Sequence, residues 1–296
     1  QRPTSSRGIF ALERVLRAQG RIREILLFAE RYIDVEPDAS GPRLLELRVY
    51  TELADESGLE DAAEDWMGSG RLSSEPYREV ARAFARAFGP ERALSILERG
   101  RSDLGRPSLF AMEVGDLLRD LGRMEEAVLE WAEVIGNDGA LVSAVMIRVA
   151  EIEEDRERFV LPLLNQLRQP PTTGARLRAG ARIALEAGVL DQATTLAETA
   201  LQDLPDRPRR SFLTAFALQA QEVSAMGVVL WAYEALREGA ADDAEARALD
   251  QRITIAALAT GDTARAVEAQ QAIADDLLEG STARQRALAE IIRLGI

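Results

Sequence analysis

The feature that most constrains the fold of this chain is a glycine that returns at a regular interval between helix-forming segments. At every one of these glycines except the last, a polar residue lies within the next three positions, where an apolar-periodic segment begins. The spacing predicts a repeat of about 34 residues. The glycines are Gly20, Gly58, Gly89, Gly122, Gly188, Gly261 and Gly295, with gaps of 38, 31, 33, 66, 73 and 34 residues.

Two of these gaps are double, which predicts two turns without glycine, near Asp155 and near Glu222. A glycine suits such a turn because it tolerates the left-handed backbone that ends one helix and lets the next begin at once. Five residues after most of these turns the second segment carries a small or aliphatic residue, and a small residue there lets two antiparallel helices pack closely. These residues are Ile25, Ala63, Ala127, Ala193, Gly227 and Ala266.

The composition agrees with a helical protein. Ala, Leu, Arg and Glu dominate, aromatic residues make up 5%, and these common residues are strong helix formers. Trp66, Trp131 and Trp231 fall on second helices at core spacing, which predicts that all three are core residues. No apolar stretch is long enough to span a membrane. The sequence therefore predicts an all-α chain.

One unit, residues 111–138, resembles a tetratricopeptide repeat: Val114 and Gly115 match the family's Leu-Gly pair, and Leu118 and Ala127 match its large and small apolar sites. Two other segments are similar, with Gly20, Ala29 and Pro37 in one and Gly188, Ala193, Ala200 and Pro205 in the other. The family's first-helix Trp is absent, so the copies are divergent.

The resemblance implies a right-handed superhelical α-solenoid that covers the whole chain, 1–296, as one domain. About eight helix-turn-helix repeats and a C-terminal helix at 282–294 are expected, the helix acting as a polar cap. The expected repeats are 1–39, 40–72, 73–105, 106–138, 139–171, 172–205, 206–240 and 241–280.

In such repeats the first helix of each pair lines a concave groove, which predicts a site for an extended or helical segment of a partner protein. A shift of one residue in the repeat register would instead place Val145, Val149, Phe212 and Phe216 in the core. A solvated helix face is the alternative for Arg178 and Arg182. The expected lining is Phe10, Arg14, Arg17, Arg48, Glu52, Met112, Asp116, Val145, Val149, Arg178, Arg182, Phe212 and Phe216.

The chain contains no Cys, His or Lys, and its net charge is −14. Thiolate nucleophiles, imidazole bases, Schiff-base lysines and Cys/His metal sites are therefore excluded. We expect no catalytic residues, no metal site and no cofactor; a hydrolase that relies on carboxylates alone is the remaining enzymatic alternative. The acidic balance argues against nucleic-acid binding, which needs cations to neutralise phosphates. Because all cationic side chains are arginines, a GC-rich, bacterial genome is expected.

Two functions follow from these patterns. The first is a non-catalytic scaffold whose groove binds a protein or peptide partner. The second is a structural subunit that assembles with itself, end to end, into a homo-oligomer or filament. The start at Gln1 without Met favours an exported protein over a cytoplasmic one, and a trimmed chain would begin in the same way.

Overall fold

The structure is a computed structural model that describes residues 6–69, 73–136, 139–202 and 204–294. Those residues form 17 α-helices and no β-strand, so the all-α prediction is confirmed. The helices are α1 Ser6–Ala18, α2 Glu24–Val35, α3 Ser40–Leu53, α4 Glu56–Met67, α5 Glu75–Phe88, α6 Pro90–Leu104, α7 Ala111–Asp120, α8 Met124–Val134, α9 Val142–Ala150, α10 Arg156–Arg168, α11 Gly174–Glu186, α12 Leu190–Leu201, α13 Asp206–Glu222, α14 Met226–Glu238, α15 Asp243–Thr260, α16 Thr263–Asp275 and α17 Thr282–Leu294.

The helices fall into two compact units, Gln1–Glu133 and Val134–Ile296. Within each unit, helices that follow one another along the chain pack together, for example α5 on α6 and α11 on α12. Helices two positions apart along the chain are also in contact: α3 contacts α5, and α11 contacts α13. Contacts between sequence neighbours of this kind are typical of helical-repeat folds. The division into eight repeats at the stated residues stays a prediction.

The turns between paired helices use the left-handed backbone that the glycine pattern predicts. Both turns predicted to lack glycine are present, and there a non-glycine residue takes this conformation: Asp155 with φ 50° and Ser224 with φ 59°. The turn glycines are Gly20, Gly122, Gly188 and Gly261, with φ of 70°, 74°, 81° and 79°.

The prediction that Gly58 forms a turn is wrong, and Gly295 lies outside the described residues. Gly58 is inside α4, where its missing side chain allows the Tyr50 ring to lie against the backbone. The turn is four residues earlier, at Ala54, which has a left-handed φ of 51°. The Asp55 carboxylate then caps α4 by accepting a hydrogen bond of 3.1 Å from the Gly58 amide.

The core lies along the facing stripes of the paired helices. Trp66 and Trp131 are buried there, as predicted. Trp231 is only half-buried, and its indole Nε1 donates a hydrogen bond of 3.0 Å to Glu198 Oε1 on α12. The core prediction for Trp231 is therefore wrong in part, because one end of the ring meets solvent.

The cause is a register shift of one residue in α14. The predicted inward positions were Gly227 and Trp231, whereas Val228 and Ala232 are the buried residues. This helix follows one of the turns without glycine, so the sequence offers no marker for its first residue. The other predicted small residues, Ile25, Ala63, Ala127, Ala193 and Ala266, are buried.

Candidate functional site

The candidate site is on the first helices of the hairpins in the first unit, α1, α3, α5 and α7. Arg14, Arg48, Arg82 and Asp116 lie on these four helices, each 34 residues after the one before. Arg14 is exposed, and the side chains of Arg48 and Arg82 keep 52% and 56% of their surface in solvent. We name Arg14, Arg48 and Arg82 the arginine row.

Ion pairs between first helices show that the repeats stack side by side. The Arg48 guanidinium donates from Nη1 to Glu13 Oε1 on α1 at 3.0 Å. On α5, Arg78 Nε donates to Glu113 Oε1 on α7 at 2.6 Å. Both pairs join residues 35 apart, close to the period of the glycines. Equivalent turns of neighbouring repeats therefore face each other in this unit.

Arg48 and Arg82 of the arginine row border two open pockets. The larger, about 400 Å³, lies between α3 and α5. The smaller, about 170 Å³, lies between α5 and α7, and Arg82 borders both. The larger is lined by Leu44, Leu47, Arg48, Thr51, Glu52, Glu79, Arg82, Ala83 and Arg86, and the smaller by Arg78, Ala81, Arg82, Ala85, Leu97, Glu113, Asp116 and Leu117. The exposed face of α1 with Phe10 and Arg14 adjoins α3, since Arg48 pairs with Glu13 and the Phe10 ring lies beside Gly41. We name the two pockets together with this face of α1 the first-helix groove.

The two pockets differ in chemistry. The larger carries three arginines and two glutamates, whereas the smaller has an apolar floor formed by Leu97, Leu117 and the methyl groups of Ala81 and Ala85. A cavity of about 150 Å³ holds one benzene-sized group. The smaller pocket therefore has room for one aliphatic or aromatic side chain next to a charged strip.

Some residues predicted to line a groove lie on this surface. Arg48, Glu52 and Asp116 border the pockets. Phe10 and Arg14 are exposed on α1, and the Phe10 ring lies beside Gly41 of α3. Met112 of α7 is half-buried.

Three predicted groove residues are instead core residues, and their expected exposure is wrong. Val145 and Val149 of α9 have no exposed surface, and Phe216 of α13 is 1% exposed. Each is turned inward by a shift in register, the alternative that the sequence left open. Repeats without a turn glycine give no fixed starting point from which to count helix positions.

Arg17 of α1 is half-buried and pairs with Glu13 at 2.9 Å and with Glu52 of α3. The other predicted residues lie in the second unit and are half-buried: Arg178, Arg182 and Phe212. Arg182 Nε donates to Gln219 Oε1 at 3.2 Å, and Gln219 Nε2 donates back to the Arg182 carbonyl at 3.1 Å. The Phe212 ring stacks on Phe216 with centroids 5.3 Å apart. These contacts hold α11, α13 and the core together, so a role in partner binding stays a prediction for these residues.

Sequence reasoning missed the part of the groove formed by α5, namely Arg82, Arg86, Ala81 and Ala85. No residue of the repeat at 73–105 was among the expected lining. The signal was present in the numbering, because Arg82 and Arg86 follow Arg48 and Glu52 by 34 residues. Applying the 34-residue period to the first helices, rather than to the turns alone, identifies them.

One buried carboxyl lies away from the groove. Glu46 of α3 is 9% exposed, and burial raises its pKa to about 7, against the opposing effect of Arg43 and with smaller contributions from Glu30 and Asp65. No cluster of metal-ligating side chains occurs among the described residues. None of the described helices is long and apolar enough to cross a membrane.

Comparison with known proteins gives no family. No protein-family profile matches the sequence, and no curated protein matches it. Among solved structures, "Crystal structure of APC/C hetero-tetramer Cut9-Hcn1" is similar at 9% identity and a TM-score of 0.29, over 96% of this chain and 55% of the other. The chain thus spans about half the length of that protein.

A second structure, "Circular tandem repeat protein with novel repeat topology and enhanced subunit contact surfaces", is similar at 14% identity and a TM-score of 0.20. The match covers 98% of this chain and 76% of the other chain. At these identities and TM-scores, neither structure assigns a function to this chain.

Proposed function

We propose that this chain is a non-catalytic protein-interaction scaffold whose first-helix groove binds a segment of a partner protein. The observation that carries the proposal is the surface across α3, α5 and α7, where an apolar pocket adjoins an open pocket bordered by arginines. An apolar anchor beside a few placed charges is the usual design of a peptide-binding site.

The residue types of the groove support binding rather than catalysis. Its polar groups are guanidinium and carboxylate side chains and one hydroxyl, that of Thr51. The carboxylates nearest the arginines already accept hydrogen bonds from them: Glu13 from Arg48, and Glu79 from Arg82 at 2.6 Å. Carboxylates that already accept hydrogen bonds from guanidinium groups are engaged in ion pairs and are not free to act on a substrate.

A selection from a random peptide library tests the proposal. The immobilised chain is compared with an Ala85→Trp variant, in which the indole fills the smaller pocket. We expect peptides enriched on the wild type to bind the variant at least tenfold more weakly, since the apolar anchor has no place to enter. Ala87→Trp is the matched control, because Ala87 is an exposed residue of the same helix. Equal binding to the wild type and the Ala85→Trp variant would contradict the proposal.

Self-assembly is the second candidate, and one observation favours it. The outer face of α2 exposes Leu27, Phe28 and Val35, at 53%, 38% and 60%. Adjacent exposed apolar side chains of this kind mark contact surfaces in many proteins. Sedimentation velocity over a range of concentrations separates the two ideas: a scaffold that acts alone sediments as one monomeric species, whereas an assembling subunit grows with concentration.

A further inference from the structure

The spacing of the arginine row restricts what can lie in the first-helix groove. Arg14, Arg48 and Arg82 occupy equivalent positions on α1, α3 and α5, one repeat apart. Axes of packed helices are about 8–10 Å apart. The row therefore places one arginine on each of three helices whose axes are about 8–10 Å apart, along a line that crosses them.

The charge around the row is positive on a chain that is acidic as a whole. We name as the strip the arginine row together with Arg17, Arg86 and three carboxylates on the same helices. These eight side chains have a net charge of +2, five arginines against three carboxylates, where the whole chain has −14. Arg14 and Arg86 form no ion pair with any described residue. The carboxylates of the strip are Glu13, Glu52 and Glu79.

The charge changes sign at α7. On α7, Asp116 occupies the position that an arginine occupies on α1, α3 and α5, and Glu113 lines the same pocket. The apolar floor of Ala81, Ala85 and Leu117 is at this boundary. A ligand complementary to the whole surface is thus acidic over α1 to α5 and apolar where it reaches α7.

Of the two extended backbone conformations, polyproline II matches this spacing. A polyproline II helix has three residues per turn and rises about 3.1 Å per residue, so every third side chain points the same way at intervals of about 9 Å. A β-strand presents same-face side chains about every 6.7 Å, since alternate residues share a face. The polyproline II repeat of about 9 Å lies within the distance of about 8–10 Å between helix axes, whereas the strand repeat of about 6.7 Å is shorter than that distance.

We propose that the groove binds a polyproline II segment of a partner protein with an acidic residue at every third position and an apolar residue beyond the last acid. Each carboxylate pairs with one guanidinium of the arginine row, and the apolar side chain enters the pocket of Ala81, Ala85 and Leu117. This inference rests on the proposed function and adds the chemistry and conformation of the segment.

Two synthetic peptides of identical composition test it. The first has three Glu-Pro-Pro units followed by Leu. The second has three adjacent glutamates, then six prolines and Leu. Fluorescence anisotropy at low salt should give a Kd at least fivefold lower for the first peptide than for the second. Equal Kd values, or no binding of the first peptide at millimolar concentration, would overturn the inference.

Variants then assign the contacts. Arg14→Gln, Arg48→Gln and Arg82→Gln should each raise the Kd of the first peptide about threefold, as expected for exposed ion pairs, and the triple variant should abolish the preference between the peptides. Arg123→Gln is the matched control, because Arg123 forms an exposed i,i+3 pair of 2.6 Å with Glu126, as Arg82 does with Glu79. A triple variant that melts like the wild type and still prefers the first peptide would refute the role of the row.

The experiments distinguish a failure of the polyproline II inference from a failure of the proposed binding function. If library peptides depend on the Ala85 pocket but the spaced and clustered peptides bind alike, the groove is a binding site and the acidic polyproline II segment is wrong. If no peptide depends on that pocket and the spaced peptide does not bind, both proposals fail.

Discussion

Replacing Gly115 by Ala tests the packing inside one hairpin. Gly115 is buried in α7 and faces α8, where a Cβ would lie 2.5 Å from Cδ1 and Nε1 of the Trp131 indole and 3.1 Å from the Ala127 carbonyl oxygen. The indole has no exposed surface, and its Nε1 donates a hydrogen bond of 3.2 Å to Asp116. Neither the ring nor the backbone behind it has room to move.

The expected magnitude is the difference between two effects. Alanine in a helix interior gains about 1 kcal/mol over glycine. Overpacking a filled core costs about 1–3 kcal/mol, and the contact with backbone as well as ring places this site at the upper end. We therefore expect Gly115→Ala to lower the free energy of unfolding by about 1–2 kcal/mol, which corresponds to a fall of a few degrees in Tm.

Urea and thermal unfolding, followed by far-UV circular dichroism and by tryptophan fluorescence, measure this change. Gly41→Ala is the control in the same unit, because its Cβ would meet the Phe10 ring at 3.7 Å, an ordinary contact; it should be neutral or stabilising. In a Trp131→Phe background the cost of the Gly115 substitution should shrink, since the smaller ring leaves space. A Gly115→Ala protein as stable as the wild type would refute the close approach.

Two further predictions concern buried charges. Because burial raises the pKa of Glu46 from 4.5 to about 7, its contribution to stability is full below pH 4.5 and is lost as the pH rises to about 7. In urea titrations, the free energy of unfolding of Glu46→Gln should therefore exceed that of the wild type by on the order of 2 kcal/mol at pH 8 and equal it near pH 4. A difference that does not change with pH would contradict this. Arg237 Nε donates to buried Asp250 at 2.9 Å, and 38% of the Arg237 side chain is exposed. Arg237→Met should therefore lower the free energy of unfolding by about 1–2 kcal/mol, the cost of an unpaired acceptor at the edge of the core, and adding Asp250→Asn should recover part of it in the same assay.

The sequence predicts the helices better than it predicts the surface. The turn glycines locate helix ends because the left-handed backbone is a local requirement, and even the turns at Asp155 and Ser224 follow from the period. Side-chain direction needs more precision, since a shift of one residue rotates a helix position by about 100°. Val145 and Phe216 show this error, and both belong to repeats without a turn glycine.

The groove residues of α5 illustrate a different limit. Arg82 and Ala85 stand in a helix rich in Ala and Arg, and composition alone does not separate its faces. The helical periodicity does separate a buried face with Val80 and Phe84 from an arginine face, and the comparison with Arg48 one period earlier is what assigns the arginine face to the groove. The ion pairs between repeats, such as that of Arg78 with Glu113, depend on how far neighbouring helices stand apart, which the sequence of one repeat does not contain.

Two arginines of the row already have a carboxylate partner within the protein. Glu13 and Glu79 accept hydrogen bonds from Arg48 and Arg82, so at these two positions an incoming acidic ligand exchanges one carboxylate for another instead of adding a new charge pair. Exchange of this kind makes association weak, fast and reversible, and it makes affinity depend on how many arginines are engaged at once. It also means that Glu79→Gln, a substitution that removes an internal competitor, should tighten binding of an acidic ligand.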